Sequence, residues 1–164
     1  MPDLAVAERL QPALLDRLTD DQPDERLESR DKRVMNMAQL RRAILRDLQS
    51  LLNAQAHPPN SVIYDYPLAA RSVLNFGLAD SAGLSVTGRR RDEVRAAVMR
   101  SIGNFEPRMV HHSIRVNAVE SDTPGAGVKL VFEISGDICP LPMPESLFVR
   151  TEVDVELGQW KLGD

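Results

Sequence analysis

Between positions 37 and 53 the large aliphatic side chains fall at Leu40, Ile44, Leu48, Leu51 and Leu52, while Arg41, Arg42, Arg46, Asp47 and Gln49 lie mainly elsewhere. Spacings of three and four put the first set on one face, which predicts an amphipathic helix over 37–53. Pro67 suits a first helical turn and Gly77 the position past an end, so a short helix is predicted over 67–76, with Leu68, Val73, Leu74 and Phe76 as its buried side. A loop follows through Asp80 to Ser85. A third helix is predicted over 88–103 from Val94, Val98 and Ile102.

Beyond Pro107 the period changes from four to two. Val110, His112, Ile114, Val116 and Ala118 alternate with polar neighbours and predict a strand. Val128, Leu130, Phe132 and Ile134 predict a second, joined to the first through the turn residues of 121–127. The alternate prolines Pro140, Pro142 and Pro144 predict an extended connection. A third strand is predicted over 147–157, with Leu147, Val149, Thr151 and Val153 inward and an acidic outer face. Gly158 and Gln159 then turn toward Trp160. Helices followed by a strand meander predict an α+β fold, with the helices on one face of an antiparallel sheet of three or four strands. Such a sheet leaves two edges, each able to take a strand from another chain.

The amino-terminal part is different. Leu14, Leu15 and Leu18 predict a short amphipathic helix after Pro12. Between Asp20 and Arg33 ten of fourteen residues are charged and Leu27 is the lone aliphatic, so this stretch is predicted as a linker or a solvated helix. We therefore divide the chain into 1–33, a helix and charged linker, and 34–164, one α+β domain. The amino-terminal helix either docks on a partner or folds back on its own core.

The change of period falls in the segment Phe105-Glu106-Pro107-Arg108. Pro107 lacks an N–H and pushes Glu106 out of the helical region, and Gly103 and Asn104 weaken the preceding helix, so the helix is predicted to end near Asn104. In an extended stretch residues i and i+2 point the same way. Glu106 and Arg108 are thus expected side by side at a stiffened corner, either gripping another polypeptide or forming a surface ion pair.

Composition narrows the chemistry. A net charge of −4 disfavours a general nucleic-acid binder, and Arg89, Arg90 and Arg91 are expected to form a solvated rim or a contact for an acidic partner. The single cysteine, Cys139, allows no internal disulfide. The opening MPDLAVAERL lacks the basic segment and long apolar run of a secretory signal, and no apolar run approaches the ~18 residues of a membrane span. No nucleophile elbow, phosphate loop, zinc-protease motif or paired cysteines occur, and no cofactor or metal is expected. His111 and His112, adjacent in a predicted strand, would face opposite ways, and His57 is expected to be a loop residue. The one chemical alternative is a peptidoglycan-cleaving, lysozyme-like hydrolase with Glu106 as acid and Asp65 or Asp80 as second carboxyl; Arg108 argues against it by favouring ionised Glu106.

Several segments, taken in order, resemble TssE of the type VI secretion baseplate and the lysozyme-named wedge subunits of contractile phage tails. They are Leu14-Leu15-Asp16-Arg17-Leu18, Asp47-Leu48 with Leu51-Leu52-Asn53, Ser72 to Leu78, Phe105 to Arg108, and Thr151-Glu152-Val153-Asp154. The resemblance implies a non-enzymatic, cytoplasmic wedge subunit held by TssF and TssG, with TssK in the same assembly, placed beside the TssB/TssC sheath. It maps the family's E-P-R motif onto Glu106, Pro107 and Arg108 as partner-binding residues, and Leu14, Leu15, Arg17 and Leu18 onto its amino-terminal element. It also implies a sheet similar to the sheath's interlocking strand domain.

Overall fold

The computed structural model describes residues 12–19, 35–79, 88–119, 129–138, 145–154 and 157–163. The predicted charged linker, the predicted loop from Asp80 to Ser85, the predicted turn at 121–127 and the proline-rich segment with Cys139 lie outside them, as do the side chains of Arg89 and Arg90. Four α-helices and a four-stranded antiparallel sheet make an α+β fold: α1 (Leu14–Leu18), α2 (Met37–Asn53), α3 (Pro67–Ala70), α4 (Gly88–Phe105), β1 (Arg115–Val119), β2 (Lys129–Ile138), β3 (Glu145–Asp154) and β4 (Gln159–Gly163). The strands lie in sequence order, as hairpin-connected strands tend to.

The α2 helix starts where Asn36 and Gln39 cap each other: Asn36 Oδ1 accepts from the Gln39 N–H at 2.8 Å, and Gln39 Oε1 from the Asn36 N–H at 2.9 Å. Such a box stabilises a helix start by about 1 kcal/mol. Its buried face is Leu40, Ala43, Ile44, Leu48, Leu51 and Leu52, the face the spacing predicts. This packs with Val98 and Ile102 of α4 onto Val116, Phe132, Ile134, Leu147, Val149, Val153 and Trp160 of the sheet. Each large aliphatic so buried contributes roughly 1.5–3 kcal/mol. α2 lies against β4 and α4 against β1.

The two outer strands are treated differently. Trp160 is paired with Val153 and Leu162 with Thr151, and on the far side of β4 side chains of α2 stand in for a fifth strand. Asn53 Oδ1 accepts from the Trp160 N–H at 3.0 Å and Gln49 Oε1 from the Leu162 N–H at 3.0 Å; Gln49 Nε2 and Asn53 Nδ2 both donate to the Trp160 carbonyl, at 2.6 and 3.0 Å. That edge is closed by carboxamides. Along β1 the described residues offer no equivalent, and only β2 pairs with it.

Two predicted elements differ. The helix expected over 67–76 is broken at Ser72, whose hydroxyl donates to the Ala69 carbonyl at 2.8 Å and accepts from the Leu74 N–H at 3.3 Å. That side chain ends α3 and starts a 3-10 turn, Val73–Asn75, the competition with the backbone that serine makes near helix ends. Leu68, Val73 and Leu74, expected inside, are 89%, 78% and 70% exposed. The buried residue is Asn75, which accepts from the His57 N–H at 3.0 Å and donates to the Ala70 carbonyl at 3.0 Å, while Phe76 meets Phe105 edge-on at 5.3 Å. Gly77, at φ 119°, brings the chain back beside α2, where any side chain would run into the Ala54 carbonyl.

The strand expected from Val110 is interrupted as well. Met109 makes a single bridge to Ile138, residues 111–113 form a 3-10 turn, and regular pairing begins only at Arg115. Ser113 causes the detour: its hydroxyl donates to the Val110 carbonyl at 2.7 Å and accepts from the Asp137 N–H at 2.7 Å. His111 and His112 are therefore exposed turn residues, and Gly103 leaves room on α4 for the His111 ring. Strand β3 is described to Asp154, residues 155 and 156 lie outside the described residues, and Leu157, expected at the strand's end, is in a turn.

Candidate interaction site

The α4 helix runs to Phe105, one residue past the predicted end, and the Glu106 N–H still donates to the Ile102 carbonyl at 2.9 Å. Pro107 then turns the chain, and the Met109 N–H closes the corner on the Glu106 carbonyl at 3.2 Å. Arg108 folds back across that turn. Its Nε donates to Glu106 Oε1 at 2.6 Å, its Nη2 to Oε2 at 2.5 Å, and its backbone N–H to Oε1 at 3.1 Å. This is the two-pronged guanidinium–carboxylate fork, the stronger class of charged hydrogen bond.

The fork continues outward. Arg108 Nη2 also donates to Asp47 Oδ2 at 2.6 Å, joining the corner to α2 across 61 positions of sequence. Asp47 Oδ1 accepts from Arg46 at 2.9 Å (Nε) and 2.8 Å (Nη2), and Arg46 Nη1 reaches Asp16 of α1 at 2.6 Å. Five side chains of alternating sign, Glu106, Arg108, Asp47, Arg46 and Asp16, thus form one chain from the corner to the amino-terminal helix. Burial acts against the Arg108 cation, but the hydrogen bonds and charges of Glu106 and Asp47 outweigh it and hold its pKa above the ordinary arginine value. Arg46 is raised in the same direction by its bonds to Asp47 and Asp16. The inner end is the more enclosed one: Glu106 is 3% exposed, whereas in the outer pair Asp16 is 10% exposed but Arg46 is 43% exposed, and a pair open to water on one side contributes ~0.2–1 kcal/mol.

Glu106 and Arg108 are on the same side, as the i, i+2 spacing predicts, but they grip each other. Of the corner triplet, Pro107 is exposed, Arg108 half-buried and Glu106 enclosed. On α1 no residue is buried, and Leu14, Leu15 and Leu18 are 72%, 58% and 74% exposed, so this helix does not fold its apolar side onto the core. It is tethered by charge. The structure therefore connects the corner residues with the helix that carries Leu14, Leu15, Arg17 and Leu18, through Arg46 and Asp47. Sequence reasoning did not single out that pair as a link, because nothing local marks a contact between Asp47 and Arg108.

A glycosidase acid needs an oxygen open to the scissile bond. Both Glu106 oxygens are engaged by Arg108 inside the protein, and Asp65 sits on an exposed 3-10 turn. Asp80 lies outside the described residues. Among the described residues no group of three or more histidine, cysteine, aspartate or glutamate side chains could hold a metal ion, and no helix is long and apolar enough to cross a membrane.

An α+β domain with its charges linked internally at one corner and its apolar side chains displayed on α1 and α3 has the features of a part fitted into an assembly. The class is that of structural baseplate components, which interact with other baseplate proteins. The chain belongs to the baseplate wedge family: the family model described as baseplate wedge protein gp25 matches residues 38–139, from the start of α2 to the end of β2. That span includes Arg46, Asp47 and the corner, while α1, β3 and β4 lie beyond it. No curated protein and no solved structure matches the chain.

Proposed function

We propose that this protein is the TssE-type subunit of a type VI secretion baseplate wedge, a cytoplasmic structural part without catalytic activity. It is held by TssF and TssG, with TssK in the same wedge, and links them to the TssB/TssC sheath. The observation that carries this reading is the family match over a segment whose corner is tied by ion pairs to a helix with three exposed leucines. In this reading Leu14, Leu15 and Leu18 enter a partner's apolar surface, with Arg17 at the rim. Pro107 and the outer edge of Arg108 meet the wedge, and Glu106 acts by fixing Arg108. The sheath-facing edge is β1, since α2 closes β4.

Co-expression of the tagged chain with TssF and TssG tests it. Both are expected to be recovered with the parent, and the triple variant Leu14→Ser, Leu15→Ser, Leu18→Ser is expected to lose them with an unchanged melting temperature, because those side chains contribute no burial. Full recovery with that variant and with Pro107→Glu would overturn the reading.

A further inference from the structure

The segment 55–79 forms a lobe whose base is stapled where the Leu78 N–H meets the Ala54 carbonyl at 2.9 Å and the Ala56 N–H meets the Leu78 carbonyl at 2.8 Å. Between this lobe and α4 runs an open groove of about 960 Å³. Its α4 wall includes Val94, Ala97, Ser101 and Phe105, a span of twelve residues or roughly 16 Å of helix from first to last. The lobe contributes Pro59 and Ala70 opposite. Two cations flank this apolar bed, Arg71 from the lobe and Arg100 from α4, both exposed. Among the described residues neither has an ion pair or a side-chain hydrogen bond, whereas Glu93 on the same wall has a partner of its own. The groove is therefore mainly apolar, with Asn75, Ser101 and Asn104 as polar positions in its lining, and Arg71 and Arg100 outnumber Glu93 among its charges, although the whole chain carries −4.

The lobe that walls the groove also displays apolar side chains outside the groove lining. Val62, Tyr66, Leu68, Val73 and Leu74 of the lobe are all exposed, a density of large apolar side chains that marks protein contact rather than a small-molecule site. We propose that the groove seats an amphipathic helix from another baseplate subunit, laid along α4, apolar toward Val94 and Phe105 and carrying carboxylates toward Arg71 and Arg100. A helix suits the groove because anchors at three- and four-residue spacing match its length, and acidic flanks suit it because both free charges are cationic. The proposal rests on the baseplate reading above and concerns a surface that meets the corner segment at Phe105 but includes neither Pro107, Arg108 nor α1.

The test is photo-crosslinking of the full chain in cells that make the baseplate, with p-benzoylphenylalanine placed singly at Pro59 and Tyr64, both exposed residues of the groove lining, and, as a separate arm, Leu15. Crosslinked peptides are identified by mass spectrometry. The expected result is that Pro59 and Tyr64 join an acidic, helix-forming segment of another baseplate subunit. Arg71→Glu with Arg100→Glu, or Arg71→Glu alone if the double variant is unstable, lowers that yield about tenfold or more and leaves the Leu15 product unchanged. Changing the captured segment's carboxylates to arginine restores it. Crosslinks from Pro59 and Tyr64 only to a second copy of this chain, or yields indifferent to the arginine variants, would overturn the proposal. So would no product there while Leu15 captures a baseplate protein. No product from any of the three positions would overturn the baseplate reading as well.

Discussion

Replacing Arg108 by alanine leaves the Glu106 carboxylate, 3% exposed, with the backbone N–H at 3.1 Å as its remaining donor from the corner. Removing one member of a buried ion pair costs about 3–5 kcal/mol, because the other charge is left uncompensated. The Arg108 side chain retains 24% exposure, so water reaches the vacated space and the lower figure, about 3 kcal/mol, applies. Loss of the more exposed link to Asp47 adds less than about 1 kcal/mol. In a domain of this size that total lowers the melting temperature by roughly 6–16 °C. Urea unfolding followed by far-UV circular dichroism reads it directly. The double variant Glu106→Leu, Arg108→Met is the control: with both charges gone it is expected to be less destabilised than the sum of the single changes by at least about 1.5 kcal/mol. The direction of the Arg108 shift adds a constraint. A cation whose folded pKa is raised contributes fully at every pH below its unfolded value and loses that contribution only as pH climbs through the folded one. The cost of Arg108→Ala is therefore expected to be constant from about pH 6 to about pH 9. A variant within about 0.5 kcal/mol of the parent, or strictly additive single changes, would refute the view that the corner is an internal clamp.

Asn53→Ala uncovers the Trp160 N–H and is expected to cost about 1 kcal/mol, with faster amide exchange at Trp160 and, when combined with Gln49→Ala, at Leu162; exchange at the parent rate would show that the β4 edge is protected by something else. Gly77→Ala places a side chain against the Ala54 carbonyl at a positive φ and is expected to cost at least about 2 kcal/mol in urea unfolding. Phe132→Ala empties a fully buried site whose ring lies tilted at 33° and 5.4 Å from that of Trp160, and should cost about 3–5 kcal/mol in the same assay. In contrast, Leu68→Ser removes an exposed side chain, and a change beyond about 0.5 kcal/mol would mean that the lobe packs differently.

Elements decided by local pattern were legible in the sequence. The α2 face from Leu40 to Leu52 and the inward alternation of Leu147, Val149, Thr151 and Val153 follow from side-chain periodicity alone, and the structure has both. The end of α4 followed from Gly103, Asn104 and Pro107. Leu68, Val73 and Leu74 misled because an apolar residue in a short helical pattern is ordinarily counted as core, whereas Ser72 splits that helix and turns them outward. Ser113 did the same to the predicted first strand. At the corner, adjacency in sequence was enough to place Glu106 beside Arg108. It could not show that one guanidinium reaches both Glu106 and Asp47, since that contact depends on how α4 lies against α2. The closing of β4 by Gln49 and Asn53 is of the same kind, more than a hundred positions apart and unmarked by any motif.

A reconstruction of the assembled baseplate at side-chain resolution is the most direct measurement. It is expected to show Leu14, Leu15 and Leu18 seated in a neighbouring subunit, with Pro107 against the wedge and the Glu106–Arg108 fork intact beneath it. The same three leucines and Pro107 facing solvent in the finished assembly would contradict the account.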